Sequence, residues 1–442
     1  MKENVKKVMV IGGGIAGIQS SLDLGDMGYH VDLIEQEPCI GGRMAQLDKT
    51  LPTNDCSICI LAPKLSDCFR HPNVKIHSLT QVQEISKKKD GFIVNVLKKA
   101  RFVNEEKCIN CGLCVQKCPS KVLDVFDMKM RKRKAIYLYY LQGVPAVMAI
   151  DKEKCLYLKN KNKEKKVCGF CQDVCPKDAI DFTQTDTNYT LNSDAIIMAS
   201  GSNQYDPTPL HIYGYKKYKN VITGLEYERM ISASGPTEGH ITRLSDNKHP
   251  KTIAFVQCVG SRDVNTNSYC SSICCTYSTK HAILSREHDE EMNSTIFYID
   301  LRAGGKGFQK YIKRAKDEYG VKYIRGKIAE ITIDENDNPI LHYENLDTFE
   351  VQTKKVGLVI LACAMIPTRN HNKLAKVLGV EQDEFDFVKS SIDHPVNTNI
   401  PGIFACGSCL GPMDIPHSVI NASGAAAKVS EYIQMQKGEH HG

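Results

Sequence analysis

The chain has 442 residues, 42% hydrophobic and 24% charged, with a formal net charge of +6. That length predicts two or three domains, and so small a charge excess excludes a chain built as a nucleic-acid binder. The N-terminal MKENVKKVMVIGGG enters a strand at once, without an apolar leader and cleavage site, so the expected compartment is cytoplasmic. Thiols stay reduced there, and the 19 cysteines are better explained by metal ligation than by a disulfide framework. The longest apolar stretch, Val356 to Pro367, is about half a membrane span, so no integral membrane segment is expected.

VKKVMVIGGGIAGIQSSLDLGDMGYHVDLIEQEP reads as a strand from Val8 to Ile11, a glycine turn, a helix, and a strand from Val31 to Ile34 that ends at Glu35. Gly12, Gly14, Ala16 and Gly17 fit G-x-G-x-x-G. Gly12 turns the chain, Gly14 lets the backbone approach a pyrophosphate, and Gly17 permits close helix-to-strand packing. Glu35 lies where a carboxylate accepts a hydrogen bond from the adenosine ribose. The pattern predicts a bound dinucleotide without separating FAD from NAD. Further on, NDCSIC places Cys56 and Cys59 in a CxxC pair, read as packing or loop structure in preference to a dithiol at a flavin.

The run Cys108-x2-Cys111-x2-Cys114-x3-Cys118-Pro119 is that of a bacterial ferredoxin. Its second half is Cys155, Cys168, Cys171 and Cys175-Pro176, with a long basic loop after Cys155. The fourth cysteine of each run ligates the other cluster. One 4Fe-4S cluster is therefore assigned to Cys108, Cys111, Cys114 and Cys175, the other to Cys155, Cys168, Cys171 and Cys118. Zinc on two CxxC pairs is the alternative, and two proline-terminated runs argue against it. The basic runs Lys129 to Lys134 and Lys159 to Lys166 read as solvated loops, with a docking surface for an acidic partner as the sharper alternative.

Asp194 to Pro207 is a strand running into Ala199-Ser200-Gly201, and Thr398 to Cys409 is a strand ending in Gly407, followed by a helix from about Ile415 to Gln434. These segments resemble those of flavoproteins of the thioredoxin reductase type, where both pack around FAD. Ser408 replaces the Asp usual in that family. Near Lys251 a second α/β pattern begins: strand Thr252 to Val256, helix Ser278 to Arg286, strand Thr295 to Asp300, helix Phe308 to Glu318, strand Val321 to Ile324. A nicotinamide-binding domain would carry a second glycine motif after its first strand. Here Gln257-Cys258-Val259-Gly260-Ser261-Arg262 opens a loop with Cys258, Cys270, Cys274 and Cys275. Four thiols there could hold a third cluster, in which case an iron-sulfur donor replaces a nicotinamide. The adjacent Cys274 and Cys275 also fit a free thiol pair or structural cysteines. Cys39, Cys68, Cys363, Cys406 and Cys409 have no interpretable spacing.

GGRMAQLDKTLPTNDCSICILAPK (Gly41 to Lys64), the two proline-terminated cysteine runs, QCVGSRD and YCSSICCTYSTK, DLRAGGKGFQKYIKRAK and CGSCLGPMDIPHSVINASGAAAK together resemble HdrA, the iron-sulfur flavoprotein of heterodisulfide reductase, nearly end to end. The resemblance implies an α/β fold of two dinucleotide-binding domains of thioredoxin reductase type with an inserted α+β ferredoxin domain holding two 4Fe-4S clusters. It implies FAD, held also by Gly42, Arg43, Ala199, Gly201 and Gly407, and a third 4Fe-4S cluster on Cys258, Cys270, Cys274 and Cys275. Lys280, which on sequence alone reads as an exposed helix residue, becomes a catalytic lysine near the flavin N5, its ammonium favouring reduced flavin. The expected boundaries are 1–100, 183–245 and 368–442 for the FAD domain, 101–182 for the ferredoxin insert, and 246–367 for a degenerate nucleotide-binding domain. The function implied is that of an electron-transferring or electron-bifurcating oxidoreductase component. Its partners would be disulfide-reducing and iron-sulfur subunits, an electron-input protein or ferredoxin, and a second copy of the chain. Longer members add an N-terminal domain and a C-terminal ferredoxin, and this chain reads as the short form. That layout keeps open the flavin component of a quinone-interacting complex. An NAD(P)H oxidoreductase resembling the glutamate synthase small subunit is disfavoured by the lost second glycine motif.

Overall fold

The computed structural model describes residues 5–160 and 167–438; residues 161–166 of the second basic run lie outside them. A five-stranded parallel sheet has the order Ile403–Ala405, Ala195–Met198, Lys7–Ile11, His30–Ile34, Val74–His77. Its central strands are near-continuous apolar runs because helices or further strands cover both faces: Val8, Val10, Leu33 and Ile197 face one core, and Met9, Ile196 and Met198 the other. The helix Ile15–Asp26 packs beside the helix Ile415–Gly438, where Ala422, Ala425 and Ala426 are fully buried. Small side chains let the two backbones approach.

The second sheet repeats the plan. Its order is Val221–Thr223, Leu358–Cys363, Thr252–Val259, Asn293–Tyr298, Lys322–Ile333, all parallel, followed by antiparallel Pro339–Asn345 and Glu350–Lys355. In each sheet the strand that leads into the turn, Lys7–Ile11 or Thr252–Val259, lies between the next strand of the sheet and one that returns from far along the chain. The turns after Ile11 and after Val259 therefore occupy equivalent places.

The two domains are joined by an antiparallel pair, Ser202–Gln204 against Met365–Pro367. Residues from about 205 to 364 belong with the second sheet, which moves the start of that domain from the expected 246. Val221–Thr223 pairs with Val359 to Leu361, and the helix Gly224–Ile231 buries Tyr227, Met230 and Ile231 against Phe255 and Ala282. The segment's apolar content is too short to announce a separate strand and helix. The ferredoxin-like insert leaves after Lys98 and returns at Thr187, which lie opposite each other in one antiparallel pair, so the insertion does not disturb the register. Its own core contains Phe102, Val103, Ile136, Ile150, Ile180 and Phe182 around the cysteines. Among the described residues no helix is long and apolar enough to cross a membrane.

Candidate functional site

One cavity of about 2050 Å³ runs from the first glycine turn toward the cysteine loop. Gly12, Gly14 and Ala16 line it with Glu35, Gly42, Arg43, Ala199 and Gly201. A Cβ on Gly14 would meet nothing nearer than the Cα of Gly42 at 4.0 Å, whereas a Cβ on Gly42, at φ +58°, would stand 2.8 Å from the Cα of Gly14. The two glycines form a backbone-walled slot at the start of the Ile15–Asp26 helix, where free N–H groups favour an anion. Glu35 accepts hydrogen bonds from the backbone of Gly13 at 2.7 Å and Glu37 at 2.8 Å. Burial pushes its carboxyl up to about 7 against those bonds. Arg43 donates to Gln46 at 2.6 Å and to Asn203. Slot, helix terminus and carboxylate fit a dinucleotide such as FAD. Gly17 and Gly407 lie behind the wall: a Cβ on Gly17 would sit 1.8 Å from the Gly12 carbonyl oxygen, and one on Gly407 would sit 2.6 Å from the Ala16 Cβ. Their part is packing. Ser408 does line the cavity and accepts from Ser202 at 3.1 Å.

At its other end the cavity is walled by Ile273, Tyr277, Lys280, His281 and Cys363. Lys280 is 2% exposed, so the reading of it as an exposed helix residue is corrected. The Lys280 Nζ donates to the Lys49 carbonyl at 2.8 Å and pairs with Glu228. His281 Nε2 lies 2.5 Å from the same carboxylate oxygen, and the Asp48 amide donates to the other at 2.9 Å. Burial alone would raise Glu228, but Lys280 and His281 hold it well below the usual carboxylate range. Burial depresses His281 despite that carboxylate. Sequence reasoning does not single out Glu228 or His281. The available signal is a Glu-Arg pair set between Tyr227 and Met230, charges inside an otherwise apolar helical stretch.

In the insert, Cys114 is in electrostatic reach of Cys108, Cys111 and Cys175; burial first, then these neighbours, push its thiol up to about 11. The same four cysteines line one small cavity beside Pro176. Cys171 is similarly grouped with Cys155, Cys118 and Cys168, its thiol pushed up to about 12 by burial and then by them. The fold thus places Cys175 beside Cys108, Cys111 and Cys114, and Cys118 near Cys155, Cys168 and Cys171, with Cys114 also within reach of Cys171. Thiols kept protonated by burial and mutual repulsion become ligands only around a cation that draws the protons off, so the donor set suits metal clusters. Among the described residues no three His, Cys, Asp or Glu converge on a single ion.

The four cysteines of the second domain are not all in a loop. Cys258 still belongs to the Thr252–Val259 strand, at φ +60°, and Cys274 and Cys275 open the helix Cys274–His288. The helix begins at Cys274 instead of Ser278, leaving only Cys270 between the elements. Burial raises the Cys274 thiol, with further upward pushes from Cys258, Cys275 and Cys270. Cys258 is pushed up to about 11 by burial and Cys275, opposed by Arg262. Arg262 donates to Asp300 at 2.7 Å, and the Arg302 amide donates to the Cys275 Sγ at 3.4 Å. The first basic run is only partly solvated: Arg131 pairs with Asp127, and Arg133 reaches Asp151 at 3.2 Å and stacks over Tyr137.

Residues 107–179 match the family model of a 4Fe-4S dicluster domain, and residues 10–63 that of an NAD(P)-binding Rossmann-like domain. The chain is 46% identical over 428 residues to the iron-sulfur A-subunit, copy 2, of CoB–CoM heterodisulfide reductase from Methanopyrus kandleri, covering 96% of this chain and 64% of that protein. It is 44% identical to the corresponding A-subunit of Methanocaldococcus jannaschii, covering 98% and 65%. The chain is similar to HdrA over nearly its whole length. It spans just under two thirds of the length of these relatives. The fold of the chain is that of thioredoxin reductase: the enzyme of Lactococcus lactis aligns at TM-score 0.53 and 15% identity, covering 97% of this chain and 99% of that one. The enzyme of T. acidophilum aligns at TM-score 0.53 and 14% identity, covering 96% and 98%.

Proposed function

We propose that this chain is the FAD and iron-sulfur electron-transfer core of a heterodisulfide-reductase-like complex, an oxidoreductase passing electrons between a low-potential carrier and a partner that reduces a disulfide. Flavin-based bifurcation is its finer form. The observation supporting this reading is that one cavity is walled by all three modules. The first domain contributes the glycine turn, the insert contributes Phe126, Tyr137, Tyr139 and Ile150, and the helix after the cysteine strand contributes Tyr277 and Lys280. FAD, when bound, supplies a two-electron centre that exchanges single electrons with clusters. The glycine slot and Glu35 would hold its adenosine diphosphate end. Lys280, set by Glu228 and the Lys49 carbonyl, would place an ammonium beside its reactive end. The twelve cysteines Cys108, Cys111, Cys114, Cys118, Cys155, Cys168, Cys171, Cys175, Cys258, Cys270, Cys274 and Cys275 would ligate three clusters.

The test uses anaerobically purified protein. One FAD and roughly twelve irons per chain are expected, four for each cubane, and Cys274→Ser with Cys275→Ser should remove roughly four irons while FAD stays bound. Dithionite should bleach flavin and clusters, whereas NADH and NADPH should leave the flavin oxidised. Eight irons in the intact protein would remove the third cluster, and bleaching by a nicotinamide would overturn the electron-transfer reading in favour of a self-contained NAD(P)H oxidoreductase.

A further inference from the structure

Of the 19 cysteines, 17 carry no disulfide, and the remaining two, Cys56 and Cys59, are joined in one at the start of the helix Ser57–Arg70. The pair does not line the large cavity, although Lys49, Thr50 and Leu51 do, and Cys56 pairs across a β-bridge with Lys49. The disulfide therefore lies on the solvent side of the loop that walls the cavity. Its two sulfurs are not equivalent. Cys59 is exposed, with the 40% exposed Ile60 beside it. Cys56 is half-buried and is the N-cap of the helix: its Sγ accepts the Cys59 amide at 3.3 Å. A helix N-terminus stabilises a thiolate, and exchange is faster when the departing thiolate is the stabilised one. One sulfur is thus open to attack and the other is built to leave.

We propose that Cys56 and Cys59 form a thiol-disulfide exchange site on the outer face of the FAD domain, reduced reversibly by an external dithiol and not by the flavin. A thiolate of the dithiol attacks the Cys59 Sγ, the Cys56–Cys59 bond breaks, and Cys56 leaves as a thiolate held by the Cys59 amide. The second thiol of the dithiol then displaces Cys59 from the mixed disulfide. The protein gains two electrons, the dithiol becomes a disulfide, and its two protons end on Cys56 and Cys59.

The holo-protein is equilibrated anaerobically in buffers of reduced and oxidised dithiothreitol, quenched by alkylation, and the peptide carrying both cysteines is weighed. A reversible two-electron transition is expected, with flavin and iron content unchanged. A pair that stays wholly reduced or wholly oxidised across the series overturns the site. Single variants test the assignment of roles independently of the clusters: in the pH dependence of alkylation, the Cys56 thiol of Cys59→Ser should ionise at lower pH than the Cys59 thiol of Cys56→Ser, since only Cys56 caps the helix. An equal or reversed order of ionisation would overturn it.

Discussion

Lys280 illustrates how a single side chain's surroundings decide its effect. Its charge is matched by Glu228, so the two groups together present a dipole to the cavity and not a bare cation. Glu228→Gln removes the carboxylate and leaves the ammonium, so the flavin potential should rise; each 1.4 kcal/mol of added interaction corresponds to roughly 30 mV for two electrons. Lys280→Met should lower it by less, because Glu228, no longer held down by that ammonium, can take up a proton. Redox titration of both variants with full cofactor content checks the pair, and shifts of the same sign would remove Lys280 and Glu228 from the flavin's environment. Glu35 gives a prediction in pH. Its folded carboxyl is raised to about 7 from 4.5, so its contribution to stability is fully present below about 4.5 and is lost as pH rises through 7. The lost amount is roughly 3 kcal/mol. Flavin-free wild type should therefore fall in melting temperature relative to Glu35→Gln between pH 5 and 8, and parallel curves would show that the carboxyl is not raised.

At the scale of elements, the glycine turn separates binding from folding. Gly14 is at φ −79° with open space where a Cβ would go, so Gly14→Val should fold, keep its clusters and fail to hold FAD. Gly17 has no such room: Gly17→Val would drive a side chain into the Gly12 carbonyl and should lower soluble yield and stability together. Measuring flavin, iron and melting temperature in both variants distinguishes the two roles, and a Gly14→Val protein with full FAD would move the cofactor away from this turn. The turn was legible in sequence because strand, glycines and terminal acid stand at fixed spacing. The start of the second domain was not. Val221–Thr223 is a three-residue strand whose apolar content signals nothing until Leu358–Cys363 lies beside it. The helix containing Lys280 also begins before its expected start, since Cys-Cys-Thr has weak intrinsic helix preference and tertiary packing supplies the rest.

Across the whole molecule, the spacing within the two proline-terminated runs was enough to say which cysteines could lie near one another, because a short run fixes its own local geometry. The contacts that join modules left no such imprint. Arg229 on the second domain is 2% exposed and donates to Asp127 of the insert at 2.8 Å and to the Gln46 carbonyl of the first domain at 3.1 Å. One guanidinium thus ties three modules at the cavity, with its face over Phe126. Removing one partner of a buried ion pair costs about 3–5 kcal/mol, since the other charge stays desolvated. In Arg229→Met that loss is moderated because Arg131 also reaches Asp127, so an effect toward the lower end is expected. The insert's own core and cysteines are untouched by the change, and iron content should stay at the wild-type value. The wall that Phe126 and Met130 contribute to the cavity should loosen, so FAD should dissociate faster and protease should cut sooner near Lys98 and Thr187, where the insert joins the sheet. Asp127→Asn should reproduce the flavin loss. Unchanged FAD dissociation in both variants would mean that the insert holds its place through its apolar contacts alone.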